Sequence, residues 1–84
     1  MKNTVTHEQI DTLFSQSIVE TDTWLNKTFV MKCRLPNGFI IVESASCVDP
    51  ANFSVAIGYE ICAKRIKNRL WELEGYALQK SIGQ

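Results

Sequence analysis

Apolar side chains near the start of the chain recur at spacings of three and four, as Ile10, Leu13, Phe14 and Ile18 with Ser17 between them. That period puts a single apolar stripe on an amphipathic helix over about residues 7–19. Thr6-His7-Glu8-Gln9 has the form of a capping box, in which the Thr6 hydroxyl and the Gln9 side chain satisfy two unpaired amides at the helix start. The polar run Thr21-Asp22-Thr23 predicts its end, and Trp24-Leu25 read as a connection folding back onto the core.

The period then changes to two. Phe29, Met31, Cys33 and Leu35 alternate with Thr28, Val30, Lys32 and Arg34, the pattern of a half-buried strand over residues 28–35. Leu35-Pro36-Asn37-Gly38 follows, where Pro36 presets φ and Asn37 and Gly38 tolerate left-handed backbone. A second strand from Phe39 to Ser46 should therefore return antiparallel. Two registers are open. A two-residue Asn37-Gly38 loop sets Lys32 opposite Glu43, a favourable charge pair. A type I turn at Pro36-Asn37 with Gly38 in a bulge sets Met31 there instead, and suits a proline that has no amide for the ladder.

Asp49-Pro50 reads as an N-cap followed by proline in the first helical position. Between Pro50 and Leu73 the helical stripe is Val55, Tyr59, Cys62, Ile66, Leu70 and Leu73, a face that should cover the hairpin. Phe53, Ile57 and Ile61 form a smaller apolar group well round the helix, to be covered by the first helix or by another subunit. Glu74-Gly75 interrupts the pattern, leaving one last turn at Tyr76–Gln79. The expected fold is α+β: an N-terminal helix, an antiparallel β-hairpin and a long C-terminal helix packed on the hairpin.

The 84 residues suffice for one domain with a thin core, so self-association into a homo-oligomer is a reasonable expectation. Nine basic and nine acidic residues balance to zero, which removes the usual basic excess of a nucleic-acid binder. The polar start and the lack of a long apolar run point to a cytoplasmic chain that neither carries a secretory leader nor enters a membrane. The odd count of three cysteines fits a reduced compartment.

Reactive chemistry finds little to stand on. Cys33, Cys47, Cys62 and His7 lack the close ligand pairs of structural zinc sites, so no metal is expected. Ser44, Ser46 and Cys47 lie near Asp49, but a nucleophile needs a positioned base and His7 is the one histidine. No phosphate-binding glycine loop is present, and no cofactor is expected. Glu43 stands out in the apolar run Phe39–Val42, either as a cross-strand partner of Lys32 or as a ligand contact. In Lys64-Arg65-Ile66-Lys67-Asn68-Arg69 the pairs Lys64/Lys67 and Arg65/Arg69 flank the apolar stripe on different sides. Trp71 and Trp24 are the aromatic candidates for a contact surface, or for a lid on the core.

Glu43-Ser44-Ala45-Ser46-Cys47-Val48-Asp49-Pro50-Ala51-Asn52-Phe53, with Ile57-Gly58 and then Leu70-Trp71-Glu72-Leu73-Glu74-Gly75-Tyr76, resembles a family of short phage proteins. The family is named for gene products forty-nine and sixty-six of two enterobacterial phages. The resemblance covers about residues 28–78 and includes the Leu35–Phe39 turn. It divides a single domain, 1–84, into a helix with its connection at 1–26, a family-like hairpin and helix at 27–78, and a tail at 79–84. It implies a phage or prophage product acting inside an infected bacterium, with no activity or site residues to carry over.

Three functions fit these readings. The first is a non-catalytic binding protein acting on a host protein, with Phe53, Ile57, Ile61 and Trp71 as interface residues. The second is an oligomeric sponge for a small nucleotide signal, binding through Glu43, Asn52, Arg65, Lys67 and Arg69. The third is a minor component of the virion. The missing nucleophile–base pair points away from an enzyme.

Overall fold

The computed structural model describes residues 4–83. Thr6 caps helix α1 (His7–Ser15) as expected: the Gln9 amide donates to Thr6 Oγ1 at 3.1 Å, and the Thr6 amide to Gln9 Oε1 at 2.7 Å. The helix stops at Ser15, four residues short of the predicted end. Ser17 turns back instead, its amide donating to the Phe14 carbonyl and its hydroxyl to that of Leu13.

The last residues predicted for the helix, together with the stop and connection that follow it, form a third strand instead. Strand β1 (Ile18–Trp24) runs antiparallel to β2 (Thr28–Arg34), which pairs in turn with β3 (Ile40–Ser46), giving a sheet of order β1-β2-β3. Ile18, Glu20, Asp22 and Trp24 lie on one side of β1 and Val19, Thr21 and Thr23 on the other, a period of two that polar side chains obscure. The link to β2 is tight. Leu25 and Asn26 both take positive φ (56° and 53°), and the Lys27 amide donates to the Trp24 carbonyl at 3.1 Å.

Between β2 and β3 the bulged turn wins. Gly38 has a φ of 95° and donates to the Leu35 carbonyl at 2.8 Å, while the Leu35 amide donates to the Phe39 carbonyl. Met31 consequently stands opposite Glu43, and Lys32 stands between Val42 and Glu20. Glu43 is therefore not a cross-strand partner of Lys32. One residue of register decides which face each side chain occupies.

Asp49 is an N-cap, but of a short 3₁₀ turn (Pro50–Asn52) that ends at Phe53. The long helix, α2 (Val55–Ile82), starts later under Ser54, whose hydroxyl accepts from the Ile57 amide. It also runs further, passing through Gly75 and the segment read as a tail. Its 28 residues span about 42 Å, overreaching the sheet, so the molecule measures 50 × 20 × 20 Å.

The core is a single seam between sheet and helix: Phe29, Met31, Cys33, Leu35 and Ile41 below, Cys62, Ile66 and Leu70 above, with Ile10 closing one end. Val55 and Tyr59, expected in that stripe, are exposed. Gly58 occupies the position between them, where the helix comes down onto Phe29. Helix α1 lies beside α2 rather than on the sheet, through a Lys67–Asp11 ion pair at 3.2 Å and a His7–Trp71 edge contact at 5.1 Å.

Candidate functional site

The residues singled out from the sequence divide among three places. Glu43, Arg65 and Arg69 come together where β3 meets α2. Glu43 projects from the helix-facing side of β3, half-buried, with Arg69 Nη1 4.0 Å from Oε2. Arg65 Nη1 donates to the Ser44 carbonyl at 2.7 Å. The ion pair is long and partly solvated, a geometry worth about 0–1 kcal/mol.

Lys67 is on the other flank. Its ammonium pairs with Asp11 and lies 5.2 Å from the centroid of Phe14, so it does not join Arg65 and Arg69. The two flanks follow from the 100° per residue of an α-helix, which separates position 67 from 65 and 69. Within one chain Lys67 and the Arg65/Arg69 pair thus face different surroundings.

Asn52 and the apolar group form the third place. Asn52, Phe53, Ile57 and Ile61 line a shallow cleft of about 110 Å³ whose other wall is Ala45, Ser46 and Cys47 at the end of β3. Phe53 tucks against the core, whereas Ile57 is 59% and Ile61 38% exposed. The cleft exists because the 3₁₀ turn carries the chain off the sheet before α2 begins, and Gly58 then draws the helix close to Phe29. Helix α1 packs elsewhere, leaving Ile57 and Ile61 open. Trp71 does not belong here: it sits fourteen residues from Ile57, about 21 Å along the helix, and is half-buried against His7.

Next to this cleft is a group that sequence reading missed. The Cys47 amide donates to the Lys27 carbonyl at 2.9 Å, bringing the end of β3 beside the β1–β2 turn. Val48 (92% exposed) therefore lies near the turn that carries Trp24 (65%) and Leu25 (70%). The signal in the sequence is the Trp24-Leu25 pair; of the two uses open to Trp24, contact surface or core lid, its exposure fits the first, while Leu25 does not fold back onto the core.

The cysteines are free thiols, with Cys33 and Cys62 buried in the seam. Burial pushes both thiols up; a hydrogen bond with Ser17 offsets part of this at Cys33, and nearby Arg65 does so at Cys62. Such thiols stay protonated and unreactive. Cys47 is half-buried and directs its Sγ to the Asp49 carbonyl at 3.3 Å. Among the described residues, no three His, Cys, Asp or Glu side chains converge on a position for a metal ion, and no helix is long and apolar enough to cross a membrane.

No curated protein and no solved structure matches the chain. A family model does, over residues 2–82, which brings the N-terminal helix inside a similarity expected to start near residue 28. With a match of this extent the chain belongs to the phage protein (N4 Gp49/phage Sf6 gene 66) family.

Proposed function

We propose that this phage-family protein is a non-catalytic binding protein that docks on a host protein in the bacterial cytoplasm, through the cleft between the end of β3 and the first turns of α2. The observation that carries this reading is the exposure of Ile57 and Ile61 along a cleft floored by Phe53 and Ala45, with Val48 fully outside it. Exposed apolar side chains around a preformed depression are the usual anchors of protein contacts. Asn52 and Ser54 at the rim supply the few polar groups that orient a partner. The turn at Leu25-Asn26 supports the same end of the molecule, because a leucine held at positive φ and left exposed is unfavourable for folding alone.

A photo-crosslinking side chain at position 57, introduced into the full chain during infection, tests it. A host protein captured from that position, and lost on adding Ile61→Asp, is the expected outcome. Crosslinks joining only copies of this chain would replace a host target with a homo-oligomer. No crosslinked product would refute the reading.

A further inference from the structure

The backbone of β3 is two-sided. The Leu35 amide bonds the Phe39 carbonyl and the Cys47 amide bonds the Lys27 carbonyl, so the odd-numbered positions of β3 bond to β2. Ile40, Val42, Ser44 and Ser46 accordingly turn their amides and carbonyls toward the open edge. The strand reads Ile-Ile-Val-Glu-Ser-Ala-Ser, with no proline and one charge. That charge, Glu43, faces the helix side and pairs with Arg69. A seven-residue edge with no proline and its one charge turned inward is a template for adding another strand.

The opposite edge is defended differently. Strand β1 carries Glu20 and Asp22, and the Asp22 carboxylate accepts from the outward Thr23 amide at 2.9 Å. On β3 the defence comes from the helix, as Arg65 reaches over the sheet margin to the Ser44 carbonyl at 2.7 Å.

We propose that Arg65 is a plug on the β3 edge, and that the occupant it excludes is β3 of a second copy. The edge is self-complementary. In a two-fold antiparallel pairing centred on Val42, Glu43 or Ser44, residue Ser44 stands opposite Ile40, Val42 or Ser44 of the second strand. Each of these pairings bonds through outward groups and requires the Ser44 carbonyl as an acceptor. The guanidinium occupies that carbonyl, and a two-fold pairing would also bring two such cations together near the axis. Arg65 is exposed, and methionine keeps the length of its apolar stem while removing the guanidinium that reaches the edge.

The test is Arg65→Met in the full chain, which keeps the apolar stem and removes the donors. Sedimentation velocity should show a weight-average mass that rises with concentration above that of the parent. Exchange of the Val42 and Ser44 amides should slow by roughly tenfold in the associated form. Adding Val42→Lys, which places a charge on the open strand, should return both readouts to the parent's values. Lys67→Met removes an equal charge on the other flank and should leave the mass unchanged. An Arg65→Met protein with the parent's mass and edge exchange at every concentration overturns the proposal. So does equal association of Lys67→Met, or association that survives Val42→Lys.

Discussion

Gly58 lies so close to Phe29 that a Cβ built on it would stand 2.7 Å from the Phe29 Cβ. This contact lets α2 settle onto β2 and leaves the neighbouring Ile57 facing the cleft. Gly75, in the same helix, has nothing within 4 Å of such a Cβ. Two glycines of one helix therefore call for opposite outcomes. Gly58→Ala should cost about 1–3 kcal/mol through overpacking, in spite of alanine's better helix propensity. Gly75→Ala should gain about 0.5–1 kcal/mol. Urea denaturation of the two variants checks both signs; equal signs would mean that the close approach is relieved at little cost.

The β1–β2 turn makes a second prediction. With Leu25 and Asn26 both at positive φ, glycine fits the backbone better than leucine does. Leu25→Gly should raise stability by about 1 kcal/mol while weakening any partner crosslinked at position 57. Thermal unfolding and the crosslinking yield, measured on the same variant, separate the folding effect from the binding effect.

The cap of α1 can be tested locally. Thr6→Ala removes the acceptor of the Gln9 amide and should cost about 1 kcal/mol. Because α1 meets the rest of the protein through a few side chains, amide exchange should quicken in residues 7–15 before it does in the seam. Uniform quickening would show that helix and sheet open as one unit.

Alkali should weaken the fold through the buried thiols. Burial raises Cys33 and Cys62 above the ordinary value of 9.0, so the unfolded chain loses those protons first. Stability is then fully present below about pH 9.0 and falls as pH climbs from there through the raised folded values. The slope should approach roughly 1.4 kcal/mol per pH unit for each thiol. A Cys33→Ala/Cys62→Ala protein, less stable at every pH, should show a shallower decline in denaturant midpoint between pH 8 and 10.5 (roughly the window over which free thiols ionise). An unchanged slope would assign the alkaline loss to other groups.

Much of the architecture was legible because local chemistry and packing agree. Thr6-His7-Glu8-Gln9 has one good use, and the structure employs it. The alternation from Phe29 to Leu35 survives because one face of β2 is buried along its length. Strand β1 was not legible, since Ile18 continued the helical spacing of Ile10 and Phe14 while its own alternation carries threonines and acids on an edge. Asp49-Pro50 was a true start signal for the wrong element, because a 3₁₀ turn and an α-helix share their first cap. Gly75 looked like a break, but one glycine costs only about 1 kcal/mol inside a 28-residue helix and does not end it. At the candidate site, the division of Lys67 from Arg65 and Arg69 could be read from helical spacing, whereas the engagement of Arg65 with a strand edge could not.

By itself the amino-acid order determined an α+β chain with a capped first helix, a proline-turn hairpin and a helix whose Cys62–Leu70 stripe must be buried. Each follows from interactions between residues close in sequence, or from a period that exposes apolar surface unless it is covered. Tertiary structure alone decided the hairpin register, the third strand and the partners of Glu43 and Arg65. Those depend on which distant backbone groups and side chains meet once the sheet and α2 dock, and no local spacing specifies that meeting.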